Sequence, residues 1–451
     1  MRRFLGADGA ALLIFLLAST GVSSAWRLGQ SVAAIDYYRF WLMPQVVTRG
    51  ESTDIYAANE GTRLGRLSLD RALAKPGAAR QKAAARYRTD LDIVATPFLF
   101  TVFWPLGTGS YERDYTLFQA LSLAAGVSAI VSLARMLGYS WPAALAALAL
   151  ALWAFEPLRS DIRVGNVNQL QLAGLALYLL LQRRGERAYD LLAGAWLGLL
   201  TLFKPNLGVV PAAVLCALLF ENRLDRASRQ LAGLVIGAAG ALGASIAFFG
   251  SADVWWQWRR AVPLVVARME ISLGNYSLAR LLADTVGIDL QWPLLAACTV
   301  SIALLLWRSA RARQPGPSDP ASNTRSFERT YLAVALAAAA SLLSAALVWL
   351  HYFTLLLPLA LYALRPSPGS GASVGASRLL AVLALAILPG GLLPALLGLN
   401  EPVQSVVECT GASVILFACG LWGLQQLSGA ADSAPTLDGR RRRASGPRAT
   451  R

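Results

Sequence analysis

A few short clusters of polar and aromatic residues interrupt an otherwise apolar chain, and they hold the side chains able to do chemistry. The first reads Ile35-Asp36-Tyr37-Tyr38-Arg39-Phe40-Trp41 and continues from Gly50 to Tyr56. A carboxylate this near a hydrophobic run is costly to keep without a purpose, which makes Asp36 the leading candidate. Lys204, in Phe203-Lys204-Pro205-Asn206, is either a ligand for phosphate or a lysine snorkelling from a helix end. Asn166 and Asn168 open a helix after Arg163-Val164-Gly165, where they either contact a ligand or cap that helix. His351, the only histidine, lies in Trp349-Leu350-His351-Tyr352 as a functional group or as a packed interfacial residue. Gly274-Asn275-Tyr276-Ser277-Leu278 and the proline-bracketed stretch Ala95–Leu106 complete the set.

The elements that must position these residues are hydrophobic helices. The 451 residues are 56% hydrophobic and 15% charged, with a mean hydropathy of +0.49, so most of the chain cannot be the surface of a soluble globule. Apolar runs at Ala10–Ser24, Tyr115–Leu137, Trp141–Phe155, Val167–Gln182 and Leu231–Phe249, with others near 189–203, 206–220, 290–307, 330–348, 351–364, 378–398 and 405–425, predict about twelve spans. The fold class is therefore an all-α polytopic membrane protein, one domain over 1–427, followed by a disordered basic tail over 428–451.

Placing Met1, Arg2 and Arg3 in the cytoplasm puts Arg183 to Arg187, Glu221 to Arg229, Arg308 to Arg329 and the tail arginines Arg440 to Arg443 on the same side, as the positive-inside rule requires. The connection 27–114 then forms a long first extracytoplasmic loop, which translocates despite its arginines because of its length. Within it, 51–90 has the spacing of one or two amphipathic helices broken at Pro76-Gly77, and Ala95–Leu106 is too short to span, so it predicts a re-entrant or interfacial hairpin. Val254 to Arg260 mixes indoles with arginines as interfacial anchors do. On this topology the polar clusters share the external face, which scattered snorkelling would not produce. The stretches 314–324 and 367–377 read as flexible connections. Residues 9–25 have the length of a signal peptide; because the run continues into the Asp36 cluster, an uncleaved first helix is the stronger reading.

The net charge of +15 does not indicate nucleic acid, because the arginines sit in connections rather than on one basic face with aromatic readers. Cys216, Cys298, Cys409 and Cys419 have no paired spacing, so neither a disulfide framework nor a zinc site is implied.

Taken in order, the clusters resemble glycosyltransferase family 87, polyprenyl-phosphate-dependent mannosyl- and arabinofuranosyltransferases of the C-type superfamily, over roughly residues 10–365. Asp36-Tyr37-Tyr38 and Gly50 to Tyr56 are similar to the family's acid, aromatics and Gly-to-Tyr stretch. Thr96-Pro97 and Pro105-Leu106 resemble its Tyr-Pro-Pro hairpin, Gly165 to Asn168 its Gly-Gln-x-Asn helix opening, and Lys204 its helix-ending lysine. Asn275 to Leu278 resembles Asn-Gln-Ser-Leu, and Trp349 to Tyr352 resembles Trp-x-His-(His/Tyr). Asn166 in place of Gln, Tyr276 in place of Gln, and Ala95-Thr96-Pro97 in place of Tyr-Pro-Pro depart from the pattern and bear on substrate identity.

The resemblance implies a C-type glycosyltransferase fold. It also implies inverting transfer of a hexose, with mannose favoured, from a polyprenyl-phosphate-linked donor to a glycolipid or glycan acceptor. The reaction would take place on the periplasmic side of the inner membrane. Asp36 would be the general base, with Lys204, His351, Arg39 and Arg280 compensating the phosphate. Asn166, Asn168, Asn275, Tyr276, Tyr37, Tyr38, Trp349 and Tyr352 would contact sugar, acceptor or phosphate. No cofactor is implied, and with the outer acids scattered in sequence, metal independence is the expectation. The main rival is a transporter or lipid flippase, which would place ionisable residues at the bilayer midplane of repeated halves. A scaffold without chemistry would have little need of clustered polar motifs.

Overall fold

The computed structural model describes residues 7–312, 320–366, 372–388 and 401–429, and every regular element among them is helical. Met1 to Arg3, Arg440 to Arg443 and the rest of the expected tail from 430 onward lie outside the described residues, as does 389–398 of the expected 378–398 span. The chain opens on α1 (Ala7–Gln30), turns, and continues as α2 (Ile35–Thr48). The long connection folds into α3 (Glu60–Ala74), α4 (Ala79–Tyr87) and α5 (Pro97–Phe103). The break between α3 and α4 falls at Pro76-Gly77, where Gly77 takes a left-handed φ of 74°. With its 3-10 extension Trp104–Leu106, α5 is too short to span, as expected, although it is a single short helix rather than a hairpin.

After α6 (Tyr111–Met136) come α7 (Trp141–Ala154) and α8 (Glu156–Val164), bent by 64° at Phe155. The run expected as a single span from Trp141 to Phe155 is thus one limb of a broken element. Pro157, in the first turn of α8, lacks the amide hydrogen that would have carried the ladder of α7 onward. The chain continues as α9 (Asn168–Arg184), α10 (Arg187–Phe203), α11 (Val209–Phe220), α12 (Leu224–Phe249) and α13 (Asp253–Arg268). Then follow α14 (Leu278–Val286), α15 (Gln291–Arg311), α16 (Pro320–Ser344), a 3-10 segment Leu350–Leu356, α17 (Leu357–Leu364), α18 (Ala372–Ile387) and α19 (Glu401–Gly429). The expected flexible connections are shorter than their composition suggests, since 320–324 and 372–377 are already helical; 313–319 and 367–371 lie outside the described residues.

By length and composition, five helices among the described residues can cross a membrane: Asp8–Gln30, Tyr111–Met136, Leu224–Phe249, Gln291–Arg311 and Val403–Ser428; the bent α7–α8 pair makes a sixth. The remaining apolar runs form shorter helices such as Pro205–Phe220 and Leu350–Leu364, so length alone does not supply the expected count of about twelve.

Two large cores organise the described residues, with a small third cluster of Ile271, Leu281 and Val406 beside them. In the larger, every residue from Tyr331 to Ala340 of α16 is fully buried, a stretch rich in alanine that lets neighbouring backbones approach. The smaller is aromatic and seats the long connection after α1. Tyr37 stacks on Phe118 with centroids 4.7 Å apart and packs against Tyr115 at 5.3 Å. The Tyr111 hydroxyl donates to Ala33 O at 2.7 Å and Ala34 O at 2.9 Å, fastening α6 to the α1–α2 turn.

α10 and α12 meet through glycines spaced four apart on both helices. A Cβ on Gly194 would lie 2.1 Å from Gln230 O, and one on Gly198 2.3 Å from Leu234 O. From the other side, Cβ atoms on Gly233 and Gly237 would lie 2.1 Å from Leu191 O and 1.9 Å from Ala195 O. This is the small-xxx-small contact of membrane helices, here with backbone against backbone. At one end of the pair Asp190 of α10, 2% exposed, accepts Arg226 at 2.6 Å and Arg229 at 3.0 Å from α12. The opposite end of α10 is Lys204, so this packing also sets where that lysine sits. Gly237→Leu should therefore cost at least about 1–3 kcal/mol and lower the thermal midpoint measured by size-exclusion of the detergent-solubilised protein. Gly240→Leu, where a Cβ meets nothing within 4 Å, should leave it unchanged.

Candidate functional site

Four parts of the chain converge on Asp36. The first is α2 itself. Its start is forced by Ala34, a non-glycine residue at φ 55°, whose Cβ packs 3.1 Å from where a Cβ of Gly165 would stand. Gly165, at φ 68° where α8 ends, would with any side chain also strike Tyr37 Cβ at 2.9 Å. The glycine thus permits the α8–α9 turn to close onto the α1–α2 turn. In α2, Arg39 lies one turn after Asp36, with its Nη2 3.4 Å from Asp36 Oδ1. From the end of α4, Arg88 donates through Nη2 to the same Oδ1 at 2.5 Å and through Nε to Ile35 O at 3.2 Å. Asp36 is 4% exposed.

On the other carboxylate oxygen, Asn166 Nδ2 donates to Asp36 Oδ2 at 2.6 Å and lies 3.0 Å from His351 Nε2. Lysine has only donors, so Lys204 Nζ, 3.1 Å from Asn166 Oδ1, settles which end of the amide is oxygen. The amide nitrogen must then face Asp36 and His351, and its contact with His351 is a hydrogen bond when Nε2 carries no proton. Lys204 Nζ also donates to Asn168 Oδ1 at 2.9 Å and lies 3.9 Å from the centroid of the Tyr352 ring, a cation–π contact. Asn168 Nδ2 donates in turn to Asp161 Oδ1 at 2.7 Å, while Asp161 Oδ2 accepts the Gln169 backbone N–H at 3.2 Å at the start of α9. The result is one buried chain in the order carboxylate, amide, ammonium, amide, carboxylate: Asp36, Asn166, Lys204, Asn168, Asp161.

Supporting bonds hold the remaining pieces. Thr96, which stands where the resembled family has proline, accepts Leu99 N at 3.1 Å to cap α5 and donates to Phe203 O at 3.1 Å, pinning this short helix beside Lys204. Asn275 donates to Met269 O and Ala346 O, both at 3.0 Å, and accepts Ser277 N at 3.1 Å and Val348 N at 3.0 Å. Its hydrogen-bonding capacity is thereby used by the backbone leading into His351, so it positions the histidine's segment.

Of the residues singled out in the sequence, Asp36, Arg39, Asn166, Asn168, Lys204, His351 and Tyr352 come together. Tyr37 and Tyr38 are fully buried in the aromatic core, Tyr38 edge-on to Tyr111 at 5.5 Å. Tyr276 is half-buried with its ring edge-on to Phe353 at 6.5 Å, and Trp349 is half-buried just before the histidine. Arg280 stands apart, paired with Asp284 at 2.9 Å on α14. The structure adds three residues that the sequence left among scattered loop charges: Arg88, Asp92 and Asp161. Asp92 Oδ2 lies 3.5 Å from Arg88 Nη1, and its carbonyl accepts Arg39 Nη1.

The two carboxylates beside Arg88 are driven apart. Burial alone would raise Asp36, but Arg88, then Arg39, with His351 and the Asn166 hydrogen bond, outweigh it and hold the carboxyl well below the usual carboxylate range. For Asp92 burial prevails over Arg39 and Arg88, and its carboxyl is raised. No three His, Cys, Asp or Glu side chains come together as a metal-ligand cluster among the described residues. Chemically, the arrangement offers an ionised carboxylate flanked by two guanidiniums, an ammonium and a ring nitrogen, a set suited to a substrate combining hydroxyls with an anionic group.

No curated protein and no solved structure matches the chain. The model of glycosyltransferase family 87 does match, over residues 95–327, just over half of the chain. The matched stretch holds Asp161, Asn166, Asn168 and Lys204, while Asp36, Arg88 and His351 join them from outside it. With the family's stretch forming one arm of the site and an all-helical apolar scaffold around it, the chain belongs to glycosyltransferase family 87.

Proposed function

We propose that the protein transfers a hexose, with mannose favoured, from a polyprenyl-phosphate donor to a hydroxyl of a glycolipid or glycan, with inversion at the anomeric carbon. The observation that carries this reading is the meeting of Asp36, Asn166, Lys204 and His351 from separate parts of the chain. The donor's tail would remain in the bilayer of the inner membrane, with the reaction on the periplasmic side, where the positive-inside assignment puts these clusters. C-type architecture with about twelve spans belongs to the same reading.

The phosphate leaving group is already weakly basic, so it needs compensating charge more than a proton. Lys204, partly exposed at the end of α10, is placed for it, with the Arg39 guanidinium and the His351 ring alongside. Asp36 is the base. The attacking hydroxyl's proton turns strongly acidic only as the new C–O bond forms, so a weakly basic carboxylate serves provided it is ionised and oriented. Arg88, Arg39 and Asn166 secure both conditions. The proton passes to Asp36, the hydroxyl oxygen bonds to the anomeric carbon, and the polyprenyl phosphate departs with the electron pair of the broken C–O bond.

The test is transfer of labelled mannose from synthetic polyprenyl-phosphate-mannose by the protein in proteoliposomes. Wild type should transfer; Asp36→Asn, matched for folded protein, should lose roughly 10²–10⁴-fold, the usual contribution of a positioned base. Full activity in Asp36→Asn, or no transfer from mannose, arabinose or other polyprenyl-phosphate sugars, contradicts the reading, the latter favouring a transporter. The pH profile is a further check. With its carboxyl depressed, Asp36 stays ionised as pH falls to about 4, the ordinary carboxylate value, so its protonation should cause no loss of rate above that pH. An acid limb centred above about pH 5 that survives in His351→Gln, Asp92→Asn and Asp161→Asn alike would contradict this.

A further inference from the structure

Beyond Asp92 the structure opens into a groove of about 260 Å³ between the start of α3, residues 90–93 and the end of α13. We propose that this groove is the acceptor subsite and that it takes a neutral, polyhydroxylated head carrying an apolar tail; the proposal rests on the transfer reading above and names its second substrate. One end of the groove is polar, formed by Asn59, Thr62, Asp90 and Asp92. The α13 side presents Leu264 and Leu273, 63% and 61% exposed, an apolar surface on which a tail can lie. The lining carries two carboxylates and one cation, Arg268, and Arg88 pairs with Asp92 beside it, so the local charge is close to balanced and suits a neutral head whose hydroxyls the carboxylates can accept.

The groove's floor is rigid. Cβ atoms on Gly61 and Gly65 would fall 2.2 Å from Leu91 O and 2.4 Å from Thr89 O, so α3 lies directly on the 89–91 backbone. Farther along, Tyr56 OH donates to Ala95 O at 2.7 Å and Trp258 Nε1 to Val94 O at 3.0 Å. A preformed wall of this kind lowers the ordering cost of binding.

The groove also points at the chemistry. Arg88 reaches Asp92 with one nitrogen and Asp36 with the other, so a hydroxyl held at the polar end is one guanidinium away from the proposed base. The Asp92 side chain is 31% exposed and the Asp36 side chain 6%. An acceptor would meet Asp92 first. Lys204 lies on the other side of Asp36, beyond Asn166, and donor and acceptor would therefore approach the buried carboxylate from opposite sides.

The test uses octyl mannoside bearing a diazirine, with the protein in lipid nanodiscs free of glycoside detergent, followed by peptide mapping of the photo-adduct. Adducts should fall within 55–62 and 261–273. Leu264→Arg and Asp92→Asn should each reduce labelling about tenfold, the size of one lost charge-assisted hydrogen bond or a blocked apolar contact, and Leu264→Arg, away from the charged site, should leave the donor KM unchanged. Leu264 is exposed, so its replacement does not endanger folding. Labelling elsewhere, labelling unaffected in both variants, or labelling displaced by anionic phospholipid rather than by free octyl mannoside overturns the proposal. Groove labelling without transfer from any polyprenyl-phosphate sugar would support the subsite and contradict the transfer reading alone.

Discussion

A carboxylate taken out of water must be supplied with charge partners and hydrogen bonds, because an uncompensated ion inside a protein costs several kcal/mol. Asp36 imposes this requirement on the chain, and distant segments meet it together: Arg39 within α2, Arg88 at the end of α4, Asn166 in the α8–α9 turn and His351 in the 3-10 segment. Much of the surrounding architecture can be understood as what brings those segments to one place. The left-handed turns at Ala34 and Gly165 bring two helix ends into contact, and the aromatic core of Tyr37, Tyr111, Tyr115 and Phe118 fills the space beneath them. The glycine seam between α10 and α12 fixes the helix that ends on Lys204.

The same requirement separates two kinds of charge in the molecule. At the far end of α10, Asp190 is bound directly by Arg226 and Arg229, carboxylate against guanidinium. Around Asp36 the charges alternate with amides, so that Lys204 touches no carboxylate directly and its charge is shared by two asparagine oxygens and the Tyr352 ring. A cation held by neutral partners remains available to an arriving anion. That difference distinguishes a structural ion pair from a site able to bind and react.

The sequence revealed much of this, for identifiable reasons. Asp36, Lys204 and His351 were legible because ionisable groups bordering apolar runs are rare enough to stand out, and Asn166 and Asn168 because Gly165 marks a helix boundary. The break at Pro76-Gly77 and the shortness of the Ala95–Leu106 segment followed from proline and glycine chemistry, although that segment is a single short helix rather than the expected hairpin. Arg88 and Asp161 were hidden because a charged residue in a charged connection carries no local sign of its partner, and their partners lie 52 residues away for Arg88 and 7 for Asp161. Asn275 and Arg280 were legible as polar residues but not in their roles, which depend on backbone carbonyls and on a neighbour one helical turn away. The 64° bend at Phe155 was masked by the uniform hydropathy of its first limb.

If the buried carboxylate is what the site is built around, Asp36 and Arg88 must be energetically coupled, and a double-mutant cycle on thermal unfolding of the solubilised protein measures that coupling directly. Arg88→Gln alone removes the nearest charge partner of Asp36 and should destabilise by roughly 1–3 kcal/mol. Adding Asp36→Asn should recover a large part of that loss. Strictly additive effects of the two substitutions would contradict the account.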